Sequence, residues 1–594
     1  MKRTGGGYKQ RIARDRQTAS SSTESQGKLA NFLIHKWAWG LMSAVMVQEI
    51  AMHAVDDGAQ GEVLHTLANL GTRGKHGRHC HGQLLTRLCS HPLNGVATRI
   101  VLWYARAGRA LRVVHNIILP HELFSTLYHC YPKKFLSQIL GGCADNVAHF
   151  WRDMRDHPAL VGHPLLRRTD FKAKCVPLSL HGDGVTVTGV SRSWSKSVDV
   201  YSWSSMLSKG STIESQFLIY LFYVKALIKV GDMNSLNIFW KKLTWSFYWL
   251  AIGKKPTRNW DGEDLPGGGG DLAGGYFAVV WGLLADLDHM AKAYGLNHYN
   301  RADSPCICCR ANSTDVPWTD GRRDAAWLLV VWTAATWSIA FPERHMLFQR
   351  IPGLSVMNFI PDIMHTLHLG VYQWAFGSIL YYLIHEYLPG TEKQKLDRVW
   401  TSIVAGYKVH SKPGMTKFNE IRPSMYENKP FPKLRGKAAE LRHFAGPLLH
   451  ACRALLPLTH TVHKLIVVFL EHCCVAERLL DIHRDKNVFP PAAAVEFKSA
   501  VYTFVQANNS LRQHFRARDV NLFNHTIKFH YALHLAHMAS YVNPRLYWCY
   551  KGEDMMYKVK QIVRSCAVGT GPHAVPGKVV DKYMQGLSIQ LTRG

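Results

Sequence analysis

Apolar positions recur at helical spacing through the first quarter of the chain, as in Leu123, Leu127, Phe135 and Leu140, with a break at the Gly/His-rich piece Gly71 to Gly82. The pattern predicts a helical N-terminal region over 29–165. At Cys175 the period changes. Val176, Leu178 and Leu180 alternate with Pro177 and Ser179, a His-Gly-Asp-Gly segment follows, and Val185 and Val187 continue the alternation, which reads as strand, turn, strand. More strand-like sequence spans Val198 to Leu207, apolar helical segments run from Phe217 to Leu250, and helix resumes over Tyr276 to Tyr294. Pro266 to Gly275 holds four consecutive glycines but lacks the Gly-Lys-Ser/Thr ending of a phosphate-cradling loop, so it predicts a flexible surface loop. Ala325 to Phe341 is seventeen residues without a charge. It is short for a membrane span and predicts a buried core helix.

The short apolar run Val356 to Ile360 ends in Pro361-Asp362, after which Leu367, Val371, Ile379 and Leu383 fall on a helical period out to Tyr387. Asp362 therefore stands at an N-cap, where a strand hands over to a helix. From 388 to 544 the chain reads as loop and helix, with long amphipathic runs at Thr461 to Asp485 and Ala493 to His514. Lys551-Gly552-Glu553 then opens a helix with Met556, Val559 and Ile562 or Val563 on one face. The expected parts are a disordered basic arm (1–28), the helical N-terminal region (29–165), a first core segment with inserted helices and a cysteine loop (170–387), a helical insertion (388–544), and a last helix with a C-terminal tail (545–594). No internal repeat is evident.

Composition narrows the partner. Of 594 residues, 71 are Lys or Arg and 42 are Asp or Glu, a formal charge of +29, which favours a polyanion such as nucleic acid. Thirteen cysteines without framework-like spacing read as reduced thiols. Residues 1–28 are basic, then Ser/Thr-rich, with no apolar run of the kind that opens a secretory signal.

Cleaving a phosphodiester with two divalent ions needs carboxylates that converge from distant parts of the chain, because hard Mg²⁺ or Mn²⁺ prefers oxygen ligands. In an RNase H-like sheet the first acid lies on the first strand, the second at the end of a later strand, and the third on a helix packed beside them. Asp183, Asp362 and Glu553 fit those settings, with Asp554 as the fallback third acid. Each has a plainer reading too: a turn aspartate, an N-cap, and a carboxylate answering a helix dipole. His365, three residues after Asp362, shares its helical face with His368 and Tyr372 and could orient the carboxylate or touch a phosphate.

The segments Leu178-Ser-Leu-His-Gly-Asp183-Gly, Pro361-Asp362-Ile-Met-His365-Thr-Leu-His-Leu-Gly370-Val and Lys528-Phe-His530-Tyr-Ala-Leu-His534, followed by Glu553, resemble the CACTA-type (En/Spm) superfamily of cut-and-paste DDE transposases, particularly its Plavaka-like branch. The similarity covers about residues 120 to 565. It implies an α/β plus α protein: an RNase H-like mixed-sheet core with a large helical insertion and a helical N-terminal region. It also implies that Asp183, Asp362 and Glu553 hold Mg²⁺ or Mn²⁺, with His365 beside them. The implied activity is cutting and joining double-stranded DNA in the nucleus, as a homo-oligomer that brings two element ends together. The alternatives are a catalytically inactive, transposon-derived nucleic-acid-binding protein and a helical membrane-associated protein.

Cys306 and Cys309 have the two-residue gap of a structural Zn²⁺ site, with His289, His298 or His345 as completing ligands; reduced thiols are the plainer reading. The patch His76, His79, Cys80, His81, Cys89 and His91 fits no finger spacing and reads as exposed loop histidines. Lys254, Lys255 and Arg258 before Trp260, and Arg322 and Arg323 before Trp327, suit phosphate contact beside a stacking surface.

Overall fold

The computed structural model describes residues 27–88, 93, 95–104, 107–187, 197–229, 234–567 and 570–593. The basic arm up to residue 26, Cys89 and His91 lie outside the described residues.

The chain is mixed helix and sheet, 56% and 12% respectively. Its centre is a four-stranded sheet of β3 (Cys175–Thr186), β4 (Ser197–Ser205), β5 (Gln216–Tyr223) and β6 (Phe277–Leu284), in the order β5-β4-β3-β6. β3 pairs antiparallel with β4, and β4 with β5; β6 joins β3 in parallel, and a parallel bridge from Leu283 to Phe359 extends that edge. Before the sheet come α1 (Lys28–Ala38), α2 (Ala44–Asp56) and α3 (Gly77–Leu88), then an antiparallel ribbon of β1 (Val96–Tyr104) and β2 (Arg109–Ile117), then α4 (Pro120–Cys130) and α5 (Asp145–Asp153). The N-terminal region is thus not wholly helical.

Several expectations change for identifiable reasons. The His-Gly-Asp-Gly segment does not reverse the chain, because β3 runs unbroken through Asp183. Its Gly182 answers a close approach: a Cβ there would overlap His289 and Tyr294. Phe217 to Tyr223 and Phe277 to Leu284 are strands rather than helix. Every residue of β5 and β6 is buried, so neither shows the period-two alternation that marks a half-exposed strand. The connection between them supplies α6 (Ser235–Ile252), whose Phe239 and Trp240 pack on Tyr201 of β4.

Ala325 to Phe341 is no buried helix. It holds a 3-10 turn (Ala326–Val330), an extended Val331-Trp332 and a short helix (Ala334–Ala340), with Leu329 and Ile339 exposed. Its backbone is diverted to the cysteine loop, with Arg310 N donating to Val330 O and Trp332 N to Cys308 O. The glycine loop is pinned by Lys255 N to Gly270 O and Leu272 N to Gly253 O. His76, His79 and His81 are exposed as expected, but His79 and His81 sit on α3 rather than on a loop.

After β6 come α7 (Leu287–Tyr294), a helical run of Met364–Val371, α8 (Tyr372–Tyr381) and Tyr382–Tyr387, and then α9 (Glu392–Val409), α10 (Ala445–Leu455), α11 (Thr461–Ile482) and α12 (Pro491–Arg516). The chain returns to the sheet through α13 (Ile527–Met538), α14 (Tyr550–Ala567) and α15 (Val575–Arg593), with α14 against β3 and α15 against β5. Among the described residues no helix is long and apolar enough to cross a membrane.

Candidate functional site

Alternation along β3 sends His181 and Asp183 to one face and Gly182 to the other. The first face is covered by the start of α14. Gly552 makes that contact possible, since a Cβ there would overlap the His181 imidazole, and the next residue is Glu553. Asp183 is buried, and its Oδ1 accepts the Gly184 amide at 2.7 Å. Burial, then the charges of Glu553 and Asp286, push its carboxyl up to about 8. Glu553 and Asp286 are therefore the acids whose charges reach Asp183, and Asp286 was not foreseen.

Asp286 follows β6 directly and caps α7, its Oδ1 accepting the His289 amide at 2.6 Å. With β6 read as helix, nothing marked this residue as the acid at the end of a strand. Asp362, the expected second acid, sits differently. Its Oδ1 accepts the amides of Met364 (3.1 Å) and Cys549 (2.8 Å), and its Oδ2 accepts the His365 amide (2.8 Å) and the His365 Nδ1–H (2.7 Å). Four donors occupy a carboxylate that is 5% exposed, which leaves it little capacity to bind a cation. Burial alone would raise its pKa, but the His365 hydrogen bond and charge and the two amides hold it below the usual carboxylate range. Asp362 caps the helix as expected and fixes His365.

His365 in turn directs Nε2 at Glu553 Oε1, 3.6 Å away. Burial would lower its pKa, yet the Asp362 hydrogen bond and charge and then the charge of Glu553 raise it. Asp362, His365 and Cys549 place ligand atoms within 4.8 Å of one another; His365 bonds Asp362 through its ring, and Cys549 bonds it through its backbone amide. Asp183 thus has Glu553 and Asp286 as neighbouring carboxylates, while Asp362 and His365 stand with Cys549. Asp554, the fallback, forms an i,i+4 pair with Lys558 at 3.7 Å.

Behind this corner, His368 is fully buried and joins the core to the helical insertion. Its Nε2 donates to Glu477 of α11 at 2.9 Å, and the Tyr550 hydroxyl donates to its Nδ1 at 2.8 Å. Glu477 also accepts from Tyr372 (3.2 Å) and Arg442 (2.9 Å). Burial opposes its ionisation, but His368 and Arg442 outweigh that and hold it down to about 2. Tyr550 opens the helix that carries Glu553, so the insertion braces the site from behind.

A second cluster lies apart from the acids. Cys306, Cys309, His530 and His534 are all buried, with ligand atoms within 4.8 Å of one another. Cys306 Sγ is 3.4 Å from His534 Nε2, Cys309 Sγ is 3.3 Å from both His530 Nε2 and His534 Nε2, and the two imidazole nitrogens are 3.1 Å apart. Tetrahedral zinc with ordinary bond lengths would set such edges at about 3.3 to 3.6 Å. The two histidines lie one turn apart on α13, and Trp327 covers them at ring distances of 4.8 and 4.7 Å. The expected completing ligands are elsewhere: His289 packs on Tyr201, His298 faces Asp288, and His345 meets Trp240 edge to face. His-x-x-x-His is itself a familiar helical ligand pair; the sequence carried it in the Lys528–His534 segment, but 221 residues from the cysteines it gave no sign of joining them.

The basic candidates are largely engaged. Lys254 pairs with Asp271, Arg258 with Asp264 and Arg322 with Asp320, while Arg323 bonds Ser499. Lys255 is exposed. Trp327 is buried and offers no stacking face, and Trp260 is capped by Lys242 at 3.5 Å.

No protein-family model matches the chain, and no curated protein matches it in sequence.

Proposed function

We propose that this chain is a DDE-type DNA strand transferase of transposase descent, built on an RNase H-like core, with Asp183, Asp286 and Glu553 as its metal-holding acids. The observation that carries the reading is that Asp183 is buried on β3 where the charges of Glu553 and Asp286 both reach it. Asp183 lies on the first strand of the sheet, Asp286 just past the parallel neighbour β6, and Glu553 on a helix packed across them. The strand order β5-β4-β3-β6, with three antiparallel strands and a parallel fourth, is the arrangement expected of such a core. Asp362 becomes a positioning residue that orients His365, and His365 can donate through Nε2 to a phosphate oxygen or to Glu553.

A carboxylate trio fits hard divalent cations, and Mg²⁺ or Mn²⁺ bound there would supply Lewis-acid activation of the attacking oxygen and the phosphorus. Cys306, Cys309, His530 and His534 fit a structural Zn²⁺, since two facing imidazole nitrogens and two thiols in a dry pocket repel or starve one another without a cation. The working partner is double-stranded DNA in the nucleus, handled by a multimer. The test is nicking of a labelled duplex with MnCl₂. Asp183→Asn and Asp286→Asn should each abolish it, and Asp362→Asn should leave a reduced but measurable rate. A fully active Asp286→Asn would remove that residue from the site, and no nicking by any form would leave the inactive, DNA-binding descendant.

A further inference from the structure

The β1–β2 ribbon has two unlike faces. Thr98, Ile100 and Leu102 of β1 and His115 and Ile117 of β2 are buried. That side is fixed by Lys242 Nζ to Thr98 Oγ1 (2.8 Å), a hydrogen bond between His115 Nδ1 and the Tyr220 hydroxyl (2.6 Å), and Ile118 N to Ile219 O (3.1 Å). The main chain of β1 also accepts the Ser235 hydroxyl at Val101 O (2.5 Å). The opposite face carries Arg99, Trp103, Arg112 and Val114. Both arginines are exposed, Trp103 is 42% exposed and Val114 63%. The register sets Arg99 against Val114 and Val101 against Arg112, so the guanidiniums sit diagonally on one surface, with the indole further toward the tip. Among the described residues no carboxylate forms an ion pair with either arginine. The sequence around them has no acid at all from residue 63 to 121, against seven arginines and one lysine.

We propose that this face of the ribbon is a docking surface for duplex DNA. A ribbon of nine residues per strand is about 30 Å long, and a two-stranded ribbon enters the B-form major groove, about 12 Å wide, which A-form RNA does not offer. The arginines meet phosphates or guanine edges, while Trp103 and Val114 give an apolar surface for sugar edges and thymine methyl groups. Because the inner face is anchored to α6 and β5, the ribbon holds DNA in a fixed relation to the sheet. The surface stands whether or not the carboxylate corner cuts DNA.

The experiment is fluorescence anisotropy of the full chain on a labelled duplex in EDTA, which removes cleavage from the measurement. R99E/R112E should weaken binding at least about tenfold and reduce the slope of log affinity against log salt by about two. K393E/R398E, the same charge change on exposed positions of α9, should leave that slope near wild type. Trp103→Ala should lose affinity at high salt, where the ionic part is screened. R99Q/R112Q repeats the test should charge reversal perturb folding. Wild-type affinity in R99E/R112E, equal losses in both double variants, or stronger competition by single-stranded RNA or polyglutamate than by duplex DNA overturns the proposal. Binding is read in EDTA and nicking in MnCl₂, so a failed nicking assay and a failed ribbon are told apart.

Discussion

The backbone amide of Cys549 donates to Oδ1 of Asp362 at 2.8 Å, across 187 residues of chain. This bond ties the helix that begins at Asp362 to the segment that delivers Glu553. Asp362→Ala would orphan three buried amides and free the His365 ring, a loss of about 2 to 5 kcal/mol, whereas Asp362→Asn keeps an acceptor for two of the amides. Denaturant unfolding should therefore rank wild type above the asparagine form and both well above alanine. Mn²⁺ binding by calorimetry should persist in Asp362→Asn. Loss of Mn²⁺ binding in a folded Asp362→Asn would return Asp362 to the metal ligands.

Asp183 is buried near the half-buried Asp286 and the exposed Glu553, and burial together with the charges of Glu553 and Asp286 disfavours its ionised form. A group strained in this way reduces stability until a cation neutralises it. Asp183→Asn should melt several degrees above wild type in EDTA. Mn²⁺ should raise the melting temperature of the wild type and leave the variant unmoved. Equal stabilisation of both by Mn²⁺ would mean that the ion binds elsewhere.

The Cys306, Cys309, His530 and His534 cluster joins the loop before the short 3-10 turn to α13, and a metal there would contribute folding free energy directly. The purified chain should carry zinc near unit stoichiometry by plasma mass spectrometry. His534→Ala and Cys309→Ala should lose most of it and melt lower by several degrees. Retained zinc in both variants would place the ion at another site.

The acids on β3 and α14 were legible because each sits beside a local signal, an alternating strand for Asp183 and a helix start for Glu553. Asp286 was hidden by the burial of its own strand, since Phe277 to Leu284 touches protein on both faces and spells an apolar run that suits helix as well as strand. Half of the Cys/His cluster was visible in the Cys-x-x-Cys gap, and the other half lay in a helix whose histidines carried no mark of their partner. The ribbon escaped for a different reason. Its inner face packs and its outer face is basic, but residues 96–117 alternate too irregularly between the two to stand out from the helices around them. Asp362 shows the limit of spacing alone, because the same Asp-x-x-His pattern serves a cap and a metal ligand equally well.

His525 lies in an aromatic stack between Trp318, 5.8 Å away at 21°, and Phe529, 4.7 Å away at 24°. Burial, then the charge of Arg512, lowers its pKa to about 3; burial likewise brings His157 to about 3 and His163 and His345 to about 4. Each ring is neutral when folded but takes a proton near pH 6.5 when unfolded. Their stabilising effect is therefore complete above pH 6.5 and is lost as the pH falls toward 3 to 4, because the unfolded chain then binds more protons. By pH 5 each such ring costs up to about 2 kcal/mol relative to neutral pH. The melting temperature should drop steeply from pH 6.5 to 5, and His525→Phe, which keeps the stack and removes one titrating group, should flatten that drop. An identical pH profile in the variant would show that His525 is protonated in the folded chain.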